Sequence, residues 1–411
     1  LITKTIFVIF DGLGDRPIPA FDGQTPLEYA HTPNLDALAA RSICGLMHPL
    51  GRGVRPGSDV SHLAIFGYPL EKYYTGRGPI EVAGLGKSGL AMQAGDVALR
   101  GNFGTVDAQG NIIDRRAGRI SDVTPFAAAI DGMVVDGVRC RVIAGTAHRA
   151  GVVLQGKGLS AAISDADPHA EGHPVAAVRP LDDSKEAAFT AEVLNTFMRT
   201  SHETLSGLAI NEQRSAAGQL PANFLLVRGA GVYPSMPAFN EKYDLKSCCI
   251  AGGGLYKGIG AFLGMDIIEV AGATALPDTD IAAKFAAAVQ MTENYDFVFV
   301  HVKAADSLAE DGNFEGKKTF IERADAAAAL FSNLPDDTLL VMTADHSTAC
   351  ELKAHTADPV PLMLCNPSVR IDAVSQFSER ACMQGGLGQL DAANIMPEVL
   401  NMMGKLPLVG A

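Results

Sequence analysis

Three short, largely apolar runs that each lead into an acid constrain this chain more than any other feature. Lys4–Phe10 runs straight into Asp11, Phe297–Val302 leads to Asp306, and residues 338–343 lead to Asp345. Apolar runs of this length without polar alternation read as strands buried on both faces, the habit of parallel sheets. The carboxyl ends of parallel strands share one edge, where open α/β sheets place their ligands. The three acids therefore converge if their strands are neighbours. Taken alone, Asp11 is as readily a turn residue.

Between the first and second of these runs the chain changes character twice. Thr25-Pro26-Leu27-Glu28 has the form of a capping box with proline at the first helical position. Thr32-Pro33-Asn34 opens a second helix, with Leu35, Leu38 and Ala39 on one face. A loop rich in glycine and proline, 49–57, then delivers Ser58 to a helix start. Two readings of Ser58 stand at this point: an N-cap, or a nucleophile whose neighbouring first-turn amides favour a phosphate.

From about Leu99 short β-like runs dominate, at 97–103, 139–143 and 152–154. They predict an inserted, more antiparallel α+β unit. It carries Asp114-Arg115-Arg116-Ala117-Gly118-Arg119, His148-Arg149 and Asp165-Ala166-Asp167-Pro168-His169, then a helix over 184–208 and a strand over 223–229. The α/β texture returns near residue 240, with strands at 247–251, 267–270 and 361–364 and helices over 279–291 and 318–334. A chain of 411 residues suits two domains of unequal size. The expected division is 1–98 and 237–411 for the α/β domain and 99–236 for the insertion.

The formal net charge of −13 argues against generic binding to nucleic acid or anionic membranes, though not against a small anionic substrate. Seven cysteines without a CxxC spacing read as a reducing compartment and no zinc ribbon. No apolar run is long enough to span a bilayer, and with a first strand starting almost at residue 1 no signal peptide is expected. The expectation is a soluble cytoplasmic protein; its oligomeric state is left open.

Asp345 is followed by His346, His355 lies just beyond, and Glu310 stands four residues after Asp306. Several carboxylates at one place cannot all stay ionised without a cation. Carboxylates with imidazoles suit Mn²⁺, Mg²⁺, Zn²⁺ or Co²⁺. Two such ions would clamp a phosphoryl oxygen and acidify a serine hydroxyl. The plainer alternative is that strand-end acids cap turns and each histidine is a satisfied core residue.

Several segments carry a family resemblance. They are Phe10-Asp11-Gly12-Leu13-Gly14-Asp15-Arg16-Pro17, Pro56-Gly57-Ser58-Asp59-Val60-Ser61-His62, Tyr74-Thr75-Gly76-Arg77-Gly78-Pro79, the Asp114–Arg119 segment and Glu241-Lys242-Tyr243. Later come His301-Val302-Lys303-Ala304-Ala305-Asp306, Asp345-His346-Ser347-Thr348 and the segment from His355 to Pro361. In this order and spacing the chain resembles the archaeal-type, cofactor-independent phosphoglycerate mutases of the alkaline phosphatase superfamily. The resemblance implies an alkaline-phosphatase-like α/β domain with a mostly parallel sheet flanked by helices, interrupted by a smaller α+β substrate domain. It implies two divalent metals, most readily Mn²⁺, one held by Asp11, Ser58, Asp345 and His346 and the other by Asp306, His355 and a third ligand. It implies interconversion of 3- and 2-phosphoglycerate through a phosphoserine at Ser58, without 2,3-bisphosphoglycerate. Lys242 matches a phosphate-binding position. Arg115, Arg119 and Arg228 are candidates for the substrate carboxylate and phosphate, His148 and Arg149 for lining the cleft, and Asp114 for general acid/base work. The third ligand of the second metal is where the chain departs from the family: Glu310 stands where histidine is usual. Glu310 as an oxygen ligand would favour a hard ion such as Mn²⁺ or Mg²⁺. The alternatives are a phosphatase or phosphotransferase on the same scaffold, or a weakly active or non-catalytic homologue.

Overall fold

The computed structural model describes residues 1–85 and 92–410. The chain packs as two compact units, Leu1–Lys72 with Pro237–Ala411, and Tyr73–Met236. The expected first boundary at 98/99 falls inside the second of these. The reason is local. Glu81, on the helix Gly78–Ala83, holds Arg100 Nε at 2.6 Å, and Thr75 Oγ1 donates to the Val232 carbonyl at 2.5 Å. Both partners lie on strands of the inserted unit, so residues 73–85 and 92–98 pack with it.

The first unit is built on strands β1 (Lys4–Phe10), β2 (Ser42–His48), β3 (Ser247–Ile250), β4 (Asp266–Ile267), β5 (Phe297–Val302), β6 (Thr338–Ala344), β7 (Val360–Cys365) and β8 (Gly388–Asp391). Among the described residues they form one sheet in the order β4-β3-β5-β1-β6-β7-β2-β8. Pairing is parallel from β4 through β6 and between β2 and β8, while β7 is antiparallel to both its neighbours. The apolar runs become strands because β1, β2, β5, β6 and β7 are covered on both faces. Strands β2 and β8 have no counterpart in the sequence reading, and β4 is shorter than the expected 267–270. The helix Phe314–Ala328 starts four residues before the expected 318, because the Asn313 side chain accepts from Gly316 N and caps it.

The register explains why the acids meet. Phe10 is paired with Val302 on one side and Ala344 on the other, so the chain leaves β5, β1 and β6 at one level. Strand β2 runs in the same direction and delivers the loop to Ser58 at that edge. The antiparallel β7 runs the other way, so the residues preceding it, including His355, arrive at the same edge. Phe66, just beyond the helix Ser58–Ile65, packs edge-on against Phe299 at 4.9 Å and Phe7 at 5.7 Å, which pins that helix to the sheet.

The second unit is an antiparallel sheet. Its order is Ile112–Asp114, Val97–Val106, Arg149–Gln155, Val138–Ala144, Met133–Val135, and Phe224–Val232 also pairs with Val97–Val106. Leu99, Phe103, Val152 and Leu225 from its strands share a core with Phe126 and Phe197 from the helices Thr124–Ile130 and Lys185–Ser206. Among the described residues, no helix is long and apolar enough to cross a membrane.

One buried ion pair ties the loops at the sheet edge together. Lys317 Nζ lies 2.9 Å from Asp15 Oδ2 and also donates to the carbonyls of Gly14 and Thr348; both side chains are fully buried. Asp15 Oδ1 in turn accepts from Cys350 N. Removing one partner leaves the other buried and uncompensated, so Lys317→Met is expected to cost about 3–5 kcal/mol in denaturant unfolding. The double change Lys317→Met with Asp15→Leu should recover much of that loss.

Candidate metal centre

Each strand end contributes a donor for a stated local reason. Asp11 follows β1, and its Oδ1 accepts no hydrogen bond although it is fully buried. Asp345 follows β6; its Oδ1 accepts from Gly12 N at 3.1 Å, and its buried Oδ2 accepts nothing. Gly12 has φ +63°, and a Cβ there would stand 2.7 Å from the Asp306 backbone, so a side chain at this turn would displace the acid beside it. Asp306 sits in the first turn of the helix Ala304–Glu310 that follows β5.

The tautomer of His346 follows from its partners. Thr348 Oγ1 donates to Asp306 Oδ1 at 2.8 Å, so it accepts from His346 Nδ1 at 3.1 Å. The proton is then on Nδ1, and the Nε2 lone pair faces Ser58 Oγ at 3.1 Å, Asp11 Oδ1 at 3.3 Å and Asp345 Oδ2 at 3.4 Å. Ser58 is the first helical residue and Gly57 is the cap; the serine hydroxyl makes no capping bond and points to His346 instead. His355 is set by a short hairpin, Ser347–Ala349 with Ala354–Thr356, in which it pairs with Thr348. Its Nδ1 donates to the Pro56 carbonyl at 2.9 Å, leaving Nε2 3.3 Å from Asp306 Oδ1. The rings of His346 and His355 stack at 3.7 Å.

Two compact donor groups result, Asp11–Asp345–His346 and Asp306–His346–His355. The structure thus brings Asp11, Ser58, Asp345 and His346 together and sets Asp306 and His355 beside them. Glu310 lies outside both groups. Its carboxylate is 3.8 Å from His355 Nε2 and its side chain is 52% exposed. Burial, then the charges of Asp11 and Asp306, raises Asp345 well above the usual carboxylate range. Lys303 partly answers this crowding, with Nζ 3.2 Å from Asp11 Oδ2 and 2.9 Å from Asp306 Oδ2. Two unpartnered buried carboxylate oxygens, an imidazole lone pair and a hydroxyl at one point form a donor set that fits a divalent cation. Sequence reasoning gave no role to Lys303 or Thr348, though both stand inside motifs it singled out. A third group, His62–His301–Asp345, is also buried, and burial lowers His62 to about 4.

Lys242 Nζ donates to the Gly67 carbonyl at 2.7 Å and lies over the Tyr68 ring. In the second unit, Arg115 forms a bidentate pair with buried Asp167 at 2.9 and 2.6 Å, and Arg228 Nε lies 3.8 Å from the same carboxylate. Arg228 Nη1 also meets His169 Nδ1 at 3.0 Å. Asp114 accepts from Arg116 N at 2.6 Å. Arg119 is exposed at the end of three successive left-handed residues, Ala117, Gly118 and itself, a turn braced by Arg214 donating to the Ala117 carbonyl. His148 is half-buried, and burial lowers its pKa; Arg149 is exposed.

Residues 3–402 match the model of the metalloenzyme superfamily. A 2,3-bisphosphoglycerate-independent phosphoglycerate mutase from Methanocaldococcus jannaschii is 45% identical over 99% of both chains. The chain belongs to the archaeal-type 2,3-bisphosphoglycerate-independent phosphoglycerate mutases. A second member, from Archaeoglobus fulgidus, is 46% identical over 97% of this chain and 98% of its own. The solved cofactor-independent phosphoglycerate mutase of Thermoplasma acidophilum superposes with a TM-score of 0.76 at 35% identity, covering 98% of this chain and 100% of that one. The mutase family therefore extends over both units.

The crowding makes a prediction about stability. The folded protein holds the Asp345 proton more tightly than the unfolded chain does. Without metal, its contribution to stability therefore falls as pH rises above about 4. Chelator-stripped protein should melt below the same protein in manganese, since a ligand at 100 times its Kd adds about 2.7 kcal/mol. Asp345→Asn should raise the melting temperature of stripped protein at pH 8 and shrink the manganese increment. A stripped variant less stable than stripped wild type would contradict the crowding.

Proposed function

We propose that this chain interconverts 3-phosphoglycerate and 2-phosphoglycerate through a phosphoserine on Ser58. The observation that carries the proposal is the direction of the Ser58 hydroxyl. It sits in the first turn of a helix, yet it turns from its own backbone to the His346 lone pair, beside two buried carboxylate oxygens that lack donors. The relatives above, themselves cofactor-independent phosphoglycerate mutases, support the same reading.

Asp11, Ser58, Asp345 and His346 would hold one divalent ion, and Asp306, His355 and Glu310 a second. Such ions supply positive charge that acidifies a serine hydroxyl and offsets charge on phosphoryl oxygens. Manganese is the favoured ion, because oxygen donors outnumber the two imidazoles and Glu310 adds one more carboxylate.

In the first half-reaction Ser58, entering as its alkoxide, forms an Oγ–phosphorus bond as the bond to the glycerate oxygen breaks, and Ser58 departs as the alkoxide in the second half. Asp114 gives the departing glycerate alkoxide its proton. In the second half the glycerate's other hydroxyl loses a proton to Asp114 and takes the phosphoryl group back. Arg115, Arg119 and Arg228, with His148 and Arg149, would hold the carboxylate and phosphate, and Lys242 would contribute charge to the phosphoryl group. All seven cysteines are free and buried, in keeping with a reducing cytoplasm.

An assay coupled to 2-phosphoglycerate, run without 2,3-bisphosphoglycerate, tests the mechanism. Ser58→Ala should lower the rate by on the order of 10³-fold or more. Release of inorganic phosphate without 2-phosphoglycerate would replace the mutase with a phosphatase. The Glu310 assignment has its own measurement. Glu310→His should shift the ratio of Zn²⁺ to Mn²⁺ affinity upward by on the order of tenfold. An unchanged ratio would remove Glu310 from the ligand set.

A further inference from the structure

We propose that Tyr256 is a positioning residue for Asp11, occupying one carboxylate oxygen so that the other faces His346. The inference rests on the reading above, in which Asp11 holds a divalent ion. It concerns a residue outside every motif that carries the family resemblance.

The local fold explains how a tyrosine reaches this point. The turn Gly252-Gly253-Gly254 ends β3 and starts the helix Gly254–Phe262. A Cβ at Gly260 would stand 2.6 Å from Cys249 Cβ, so glycine there lets the helix lie close on β3. That approach turns Tyr256 into the sheet edge, where its ring stacks on His301 at 3.4 Å with 15° between planes and lies 5.5 Å from His62. The side chain is 3% exposed.

The two oxygens of Asp11 are treated differently. Oδ2 accepts from the Tyr256 hydroxyl and from Lys303 Nζ at 3.2 Å, and His301 Nε2 lies 3.6 Å away. Oδ1 accepts nothing and lies 3.3 Å from His346 Nε2. Lys303 cannot make this distinction alone, because it is a flexible chain shared with Asp306. The tyrosine has only two rotatable side-chain torsions and is held by its ring stack, so its hydroxyl fixes the carboxylate plane. A phenol keeps its proton at neutral pH, so the Tyr256 hydroxyl is the donor and the Asp11 carboxylate the acceptor. Outer partners of this kind are worth about 10–100-fold in metal affinity.

Tyr256→Phe keeps the ring and its stack and deletes the donor alone. Manganese titration of wild type, Tyr256→Phe and Asp11→Asn, followed by the electron paramagnetic resonance of free Mn²⁺, reads each site. The expected result is a 10–100-fold weaker affinity at one site of Tyr256→Phe, the other site unchanged. The manganese concentration for half-maximal mutase rate should rise in the same proportion. A Tyr256→Phe titration that overlays wild type, or that weakens both sites equally, overturns the role of the hydroxyl. If Asp11→Asn also overlays wild type, the metal reading itself fails and the inference falls with it.

Discussion

Negative charge confined at one sheet edge is the constraint on which the first unit depends. Asp11 and Asp345 are fully buried and Asp306 nearly so, all at the ends of three adjacent strands. Like charges this close in a low dielectric oppose folding unless something answers them. The structure answers in layers: Lys303 between Asp11 and Asp306, Gly12 N on Asp345, and Thr348 on Asp306. Two carboxylate oxygens are still left without donors. A protein that keeps such an arrangement gives up stability for chemistry, a known trade at active sites.

The surrounding fold serves to hold those groups still. Lys317 and Asp15 lock the loop after β1 to the loop after β6, and both loops carry donors. Phe66 fastens the Ser58 helix to β1 and β5. Each histidine of the two compact groups has its Nδ1 committed to an oxygen, which leaves Nε2 free to face the acids. The second unit shows the same economy with opposite charge. Buried Asp167 gathers Arg115 and Arg228, and a left-handed turn at 117–119 presents Arg119 to solvent. Backbone in that region is costly for non-glycine residues, about 1–2 kcal/mol each, so the turn must be held by its surroundings.

Much of this was legible in the sequence because the relevant signals are local. Strands β1 and β5 were read with their observed limits, since a buried strand writes an unbroken apolar run. The capping box at Thr25 was read correctly and forms, with both bonds made. What escaped was decided by pairing. Ser42–His48 contains glycine and histidine and becomes a strand because β7 and β8 flank it. Residues 73–85 join the inserted unit through Arg100 and Val232, contacts that no local pattern announces.

By itself, then, the sequence determined the α/β class, the three strand-end acids, the histidines and the serine, because residue type and hydrophobic period are local properties of the chain. Tertiary structure decided the rest. The order β5-β1-β6 made the acids neighbours, and the reversed direction of β7 brought His355 to their edge. The contact of a glycine-bearing helix on β3 set Tyr256 against Asp11. Strand order, strand direction and interhelical distance are relations between distant segments, and only packing can specify them.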